Sequence, residues 1–360
     1  MQKKSLIKRL WNLFSINALR FMSSYCYVQF WRWKQLKGRY KGKRIFLIAN
    51  GPSLNITPLY LLKNEYTIAF NRFTLMLERI NYIPNFYMIA DGLVASNIQD
   101  DIAYFIEKSE MIFVPDISKG DLVNFRNFVS DSKKVMYLFE EPIKFSNKMP
   151  FVSPGHTVIF RAFQVLKYLG FSEVVVVGND MNYVLHKTTE LLEEVRVKGV
   201  VNQSIKSKCD DDPNHFDPRY FGKGKEYHQP TDYVVNNIFV NLEQVATAYK
   251  KSGIKVVNAG YNSKVQSFEK QEFYECLGYS EKQIDDLFEG LLKSLGFESI
   301  SDLQIKATMI DDIWDCELDI ACVSISKAMS IVKKKVLDYL PIGPYHDYLY
   351  FINRKLINKN

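Results

Sequence analysis

The sequence predicts an α/β fold: a doubly wound, mostly parallel, Rossmann-like sheet with an inserted lid and helical appendages at both ends. Two patterns carry this expectation. Apolar runs of strand length, rich in Val, Ile, Phe and Tyr, recur at residues 45–49, 66–70, 86–90, 111–114, 135–139, 174–177 and 255–258. Several do not alternate polar with apolar residues, and a strand that is apolar throughout is buried on both faces, as in a parallel sheet covered by helices. Helix-length segments at 157–169 and 231–251 fall between the runs, so β-α alternation organises a domain over 43–268.

The N-terminus departs from that pattern. Residues 1–44 carry twelve Lys or Arg and no acidic residue, so the rest of the chain is mildly acidic although the whole has a formal charge of +7. Trp11, Phe14, Phe21, Tyr25, Tyr27, Phe30, Trp31 and Trp33 alternate with Lys8, Arg9, Arg20, Arg32 and Lys34. These bases interrupt every apolar run before it reaches the roughly 20 residues of a spanning helix. No compact apolar core with a small-residue cleavage site marks a signal peptide. A basic, aromatic, amphipathic segment over 1–42 suits a membrane surface, with packing on the protein body as the alternative. The acidic remainder offers no continuation of the basic surface, so nucleic acid is not an expected partner. Five cysteines without a C-x-x-C pair fit a reducing cytoplasm, and neither a zinc site nor a disulfide framework. The expected location is cytoplasmic, peripheral on the inner membrane surface.

Between residues 181 and 228 the β-α pattern fails. This stretch mixes a short amphipathic piece with polar residues and Asp, Pro and Gly, and an insertion so long after a sheet strand reads as a functional lid. Residues 269–360 read as a helical C-terminal region, broken once at Ile342-Gly343-Pro344.

Polar residues gather where the strands end. "IANGPSLN" puts Asn50, Gly51 and Ser53 at a strand-to-helix turn, with an amide, backbone N–H groups and a hydroxyl. It is neither a three-glycine dinucleotide fingerprint nor a Walker loop. The next two runs deliver Asn71 and Asp91, an amide and a carboxylate suited to ribose hydroxyls and a base edge, although either could serve as a turn-former. In "FVSPGHTVIF", Ser153 and Gly155 precede a helix whose N-terminal dipole favours a phosphate. "VVVVGNDMNY" ends a buried strand in Asn179, Asp180 and Asn182. His228 closes the lid and stands three residues before Thr231, which can cap the next helix; imidazole suits proton transfer near neutral pH.

The order of these edges resembles the small bacterial sialyltransferases that use CMP-sialic acid. It also resembles the wider group of Maf-type nonulosonate transferases and MptE-like hydroxymethylpterin diphosphokinases. "ANGPSL" and "VVGND" are the most specific pieces, and "NHFDPRYFG" in the lid looks closest to the Maf/MptE-like branch. The likeness covers roughly 43–268. It implies that Asn50 and Asn71 contact the cytidine nucleotide, that Ser153 and Gly155 meet its phosphate-ribose region, and that Asp180 orients the pocket. His228 would be the general base that takes a proton from the acceptor hydroxyl. The chain has Met181-Asn182-Tyr183 where those sialyltransferases place a tyrosine, so Tyr183 or a lid tyrosine (Tyr220 or Tyr227) would receive the leaving phosphate.

The function so implied is an inverting, metal-independent glycosyltransferase. It would move an acidic sugar (sialic acid, another nonulosonate or Kdo) from a CMP-sugar to a surface glycan or lipid-linked acceptor. No cofactor is implied beyond that donor substrate, and a homo-oligomer stays open. The rivals are a pterin-type diphosphokinase using Mg²⁺ and ATP, and a noncatalytic membrane-surface scaffold. A metal-dependent transferase using Asp210–Asp212 is a further rival. It is disfavoured because "SIKSK" before the three aspartates is polar rather than a buried strand.

Overall fold

A computed structural model describes residues 24–117, 123–129, 132–141, 143–197, 200–310, 318–335 and 338–357. Its centre is a sheet of nine strands: β1 (Arg44–Ile48), β2 (Thr67–Phe70), β3 (Phe86–Met88), β4 (Met111–Pro115), β5 (Val135–Glu140), β6 (Phe151–Val152), β7 (Glu173–Val177), β11 (Lys255–Asn258) and β12 (Glu269–Lys270). The spatial order is β12-β11-β7-β1-β2-β3-β4-β5-β6, and every neighbouring pair is parallel. All seven apolar runs of the sequence are strands of this sheet. The chain steps outward from β1 to β6, then returns to lay β7 against the other side of β1. The loops after β1 and β7 therefore leave in opposite directions, and such a switch point opens a crevice at the strands' C-terminal ends.

Each face of the sheet is covered. One carries α1 (Ser24–Leu36), α3 (Val158–Leu169) and α4 (Asp232–Lys250) over a core that includes Leu47, Phe86, Phe163, Val176 and Leu242. The other carries α2 (Gln99–Lys108) and α5 (Glu281–Ser294) over Phe46, Tyr87, Phe105, Val177 and Phe288. Helix α3 shows why these residues make a helix. Thr157 caps its first turn by accepting from Ile159 N, and Gly170 ends it in the left-handed conformation at φ 93°.

Within the basic aromatic N-terminal segment, the described part packs on the protein body through one face of α1. Trp33 is fully buried, stacks on Phe113 and donates Nε1–H to Tyr137 O at 2.9 Å. Gln29 accepts from Tyr137 N, and Leu36 and Tyr40 are buried beside it. Val28 and Trp31 remain exposed on the outer face of α1. The rest of the segment, residues 1–23, lies outside the described residues. No helix among the described residues is long and apolar enough to cross a membrane.

The insertion is a three-stranded antiparallel sheet in the order β10-β9-β8, formed by β8 (Thr189–Val197), β9 (Val200–Ser207) and β10 (Glu226–Gln229). The C-terminal region corrects the expectation of helix alone. Besides α5 and α6 (Ile325–Lys335) it holds a four-stranded sheet, β13-β14-β16-β15, made of β13 (Thr308–Met309), β14 (Ile320–Ser324), β15 (Tyr339–Tyr345) and β16 (Tyr348–Asn353). The Ile342-Gly343-Pro344 that read as a helix break sits in β15, an edge strand that also holds Pro341 and has a register shift between Ile342 and Tyr345. Proline is tolerated there because one side of an edge strand needs no ladder donor. Phe288 stacks on Tyr345 at 4.4 Å, joining α5 to that sheet, and Ile56 after the "NGPS" turn packs into a core with Val323, Val332 and Phe351. The C-terminal unit thus braces the turn that follows β1.

Because Trp33 ties α1 to the sheet through a core ring and a buried hydrogen bond, Trp33→Ala is expected to cost about 3–5 kcal/mol. Urea unfolding of the full chain measures this directly.

Candidate functional site

A cavity of about 130 Å³ opens at the switch point between β1 and β7. Its floor comes from Ala49–Pro52 after β1, Phe70 and Asn71 after β2, and residues 178–183 after β7. Thr157, Val158 and Ile159 of the α3 N-terminus form one wall, and Asn214, His215 and Tyr220 of the insertion form the other.

The two central loops approach so closely that only glycine fits at 51. Gly51 N donates to Gly178 O at 2.8 Å. A Cβ at Gly51 would lie 2.5 Å from Gly178 O and 2.6 Å from Asp180 Cγ. Asp180 in turn accepts from Ser53 N at 2.8 Å and from the Ser53 hydroxyl, which locks the turn after β1 to the loop after β7. Ser53 itself does not line the cavity; it holds Asp180 in place, and Asp180 does line it.

Three amide residues, Asn50, Asn71 and Asn179, line this space. Asn50 donates Nδ2–H to Phe70 O at 3.2 Å and to the Tyr220 hydroxyl at 3.1 Å. Its Oδ1 is buried without a partner, as are Asn71 Oδ1 and Asn179 Nδ2. Asn71 adopts the left-handed conformation at φ 49°, which asparagine accepts more readily than most residues, and its carbonyl accepts from the Tyr87 hydroxyl at 2.6 Å. Unpaired buried polar atoms cost on the order of 1–3 kcal/mol each, and three of them belong to residues of this one cavity. The first turn of the twelve-residue α3 adds backbone N–H groups and the positive end of its dipole.

The insertion contributes rings and a buried ion network. Tyr220 is buried, and its ring stacks parallel to that of His215 at 3.8 Å. Burial pushes the Tyr220 hydroxyl above its ordinary value, so it stays protonated. His215 Nδ1 lies 2.8 Å from Asp212 Oδ2. Burial alone would raise the Asp212 carboxyl. His215 and the N–H groups of Asn214 and Phe221 outweigh it and hold the carboxyl below the usual aspartate range. The whole segment is fastened from below. Arg79 pairs with Asp217 at 3.1 Å, with the side chains 5% and 0% exposed, and also donates to Asn55 Oδ1 at 2.6 Å. Asn55 donates back to Phe216 O, and Phe216 N donates to Asn50 O. Arg219 bridges Asp217 to Glu78, which also receives Arg354 from the C-terminal region. Burial pulls the Arg79 guanidinium down to about 10, against the opposing pull of Asp217.

Of the residues expected from sequence, the cavity brings together Asn50, Gly51, Asn71, Asp180, Asn182, Tyr183 and Tyr220. Others lie elsewhere. Asp91 is exposed and caps the short helix Gly92–Asn97 through Val94 N, the turn-former role. Thr231 caps α4 through Val234 N. Ser153 is bonded at both its N–H and its carbonyl by the side chain of Gln164. Gly155 is a turn at φ 56° where a Cβ would strike the Phe160 ring, and its carbonyl accepts from Asn241. His228 is exposed on the edge strand β10, 3.1 Å from Ser204 Oγ, and does not line the cavity. Tyr227 is buried against Phe221 with its hydroxyl on His186 Nδ1. Asp210, Asp211 and Asp212 bind Lys223 N, His186 and His215, so they staple the loop. Among the described residues no cluster of His, Cys, Asp or Glu could hold a metal ion.

Sequence reasoning did not single out Thr157, Asn214 or His215 for the site, and it read Asp212 only within the rival Asp210–Asp212 metal motif. His215 stood inside the quoted lid segment and Asp212 just before it, away from any strand end, and nothing in their spacing shows that the insertion folds back over β1.

Residues 23–185 match the family model described as 6-hydroxymethylpterin diphosphokinase MptE-like. No curated protein matches the chain. Among solved structures, the chain is similar to a Maf glycosyltransferase from Magnetospirillum magneticum AMB-1, at 11% identity and a TM-score of 0.39 over 74% of this chain. It spans only 41% of that protein's length. It is also similar to the Campylobacter jejuni sialyltransferase CstII, whose structure with CMP-3FNeuAc aligns at 13% identity and a TM-score of 0.34. That alignment covers 63% of this chain and 85% of CstII.

Two outcomes test the geometry. Gly51→Ala is expected to cost about 1–3 kcal/mol, because the obstructing atom is backbone and cannot swing aside; thermal unfolding reads this. Burial would raise the Asp217 carboxyl, but its bonds with Arg219 and the charge of Arg79 bring it below the ordinary aspartate value. Its stabilising contribution is therefore complete above about pH 4 and is lost as the pH falls through the lower folded-state value. Asp217→Asn is expected to remove about 3–5 kcal/mol at neutral pH. It should also flatten the acid limb of stability against pH.

Proposed function

We propose that the protein is a glycosyltransferase that takes a CMP-activated acidic sugar as donor. The observation that carries this reading is the cavity at the β1/β7 switch point, which Asn50, Asn71 and Asn179 line together with the start of α3. Amide oxygens and a spare amide N–H suit the donor and acceptor edge of a pyrimidine and the ribose hydroxyls. The helix end suits one phosphate. The motif resemblance of "ANGPSL" and "VVGND" to CMP-sugar transferases supports the same assignment.

The chemistry asks little more of the protein. A sugar linked to CMP departs as a phosphate anion, so the site needs hydrogen-bond donors at that oxygen rather than a nucleophile of its own. Backbone N–H groups of α3 and the hydroxyls of Tyr183 and Tyr220, which line the same cavity, are the candidates. Donors of this kind need no metal. The insertion over the cavity limits water, which would compete with the acceptor for the sugar. The acceptor is proposed to be a surface glycan or a lipid-linked oligosaccharide. The basic residues of 1–23 and the exposed Val28 and Trp31 would bring the enzyme to the inner membrane face where such acceptors are built.

The match of residues 23–185 to the MptE-like model keeps a second reading in view, a pterin diphosphokinase that uses Mg²⁺ and ATP. Thermal shift separates the two. CMP at about a hundred times its dissociation constant is expected to add about 2.7 kcal/mol of stability without added metal. It should do so more strongly than UDP, GDP or ATP. Stabilisation by ATP with Mg²⁺ alone, and none by CMP, would support the kinase and refute the transferase.

A further inference from the structure

The resemblance placed the proton acceptor at His228, and the fold leaves that residue exposed on β10 outside the cavity. A transfer of this kind still requires a base at the acceptor hydroxyl. We propose that His215 is that base and that Asp212 positions it. This inference rests on the transferase reading and assigns a residue within the same site.

Four observations carry it. His215 supplies the one imidazole among the residues lining the cavity. It sits opposite Asp180 and Tyr183, in a space that also receives Asn50, Asn71 and the start of α3. Its side chain is 19% exposed, enough to be reached and little enough to be held. Asp212 lies 2.8 Å from Nδ1, so the Nδ1 position carries the proton of the neutral ring and the lone pair stands on Nε2. The Asp212 contact uses Nδ1 and leaves Nε2 outside it.

Asp212 is fixed independently of His215. It also accepts from Asn214 N at 2.8 Å and from Phe221 N at 3.0 Å, so the carboxylate cannot follow the ring if the ring moves. Tyr220 closes the other degree of freedom by stacking at 3.8 Å with an interplanar angle of 2°, and Phe221 meets the ring edge-on at 5.1 Å. The titratable groups facing the imidazole are therefore Asp212 at Nδ1, Tyr220 on its face, and Asp180 and Tyr183 across the cavity. The alternative is that Asp212 and His215 only staple a turn. That alternative does not account for a histidine placed at the cavity wall with its second nitrogen outside the Asp212 contact.

In the step so assigned, Nε2 removes the proton of the acceptor hydroxyl as that oxygen bonds to the anomeric carbon of the sugar. The anomeric carbon–phosphate oxygen bond breaks, its electron pair leaves with CMP, and the imidazolium later returns its proton to solvent. Asp212 carries no proton at any stage.

The experiment uses the full chain with CMP-N-acetylneuraminic acid, following CMP release, and thermal shift with CMP as an independent readout of the binding site. His215→Gln is expected to lower turnover at least about 100-fold while CMP stabilisation stays within twofold in affinity. His215→Gly is expected to regain part of its turnover with added imidazole, which a purely structural role would not allow. Asp212→Asn is expected to reduce turnover with KM little changed. Full turnover in His215→Gln, with the loss appearing in His228→Gln instead, overturns the assignment and leaves the transferase reading standing. No CMP release by the unaltered protein from CMP-N-acetylneuraminic acid or CMP-Kdo, together with no stabilisation by CMP, overturns the transferase reading and this assignment together.

Discussion

The buried pair of Arg79 and Asp217 is the interaction on which the site depends. A guanidinium and a carboxylate removed from water each carry a desolvation cost of several kcal/mol, which their attraction offsets only with good geometry and further hydrogen bonds. Here Asn55 takes one arm of Arg79 and Arg219 takes both oxygens of Asp217. What the arrangement secures is position. Asp217 lies between His215 and Tyr220 in the chain, so anchoring it sets both rings over the crevice at β1 and β7. Arg72 adds to the hold by donating to the carbonyls of Arg219 and Tyr220, each at 2.5 Å. The part of the insertion that roofs the cavity is therefore bolted to the domain, while the β8–β9 hairpin extends beyond it.

A consistent division of labour follows. The sheet edge supplies amides, because strands that are apolar throughout must end where the first polar residue can reach solvent or ligand. The helix supplies the positive end of its dipole. The insertion supplies aromatic surface and an acid-paired imidazole. Glycine at 51 makes these compatible, since any side chain there would push the β1 turn away from Gly178 and Asp180. The C-terminal sheet belongs to the same logic. It packs behind Ile56 and reaches Glu78 through Arg354, so it stiffens the turn and the clamp without touching the cavity.

The central sheet was legible because burial on both faces writes itself into continuous apolar runs, and its strand ends named Asn50, Gly51, Asn71 and Asp180 correctly as neighbours. The insertion was not, since its strands are solvent-facing and polar, as in Glu190, Glu193 and Glu194, and carry no burial signal. The C-terminal sheet hid behind Pro341, Gly343 and Pro344, which are ordinary breakers anywhere but an edge strand. Asp91, Ser153 and Thr231 show the opposite error: each sits at the end of a strand or the start of a helix, and each has its hydrogen bonds consumed locally. His228 and His215 could not be distinguished by sequence, because which of them faces β1 depends on how the insertion folds back, and the Arg79–Asp217 pair that decides it joins residues far apart in the chain.

The most direct test is a crystal structure of the protein with CMP. The account requires the nucleotide in the crevice between β1 and β7, its phosphate at the first turn of α3 and its polar edges on Asn50, Asn71 or Asn179. His215 should face the position the sugar would occupy. Nucleotide bound elsewhere, or a CMP complex that leaves those amides unpaired, would contradict it.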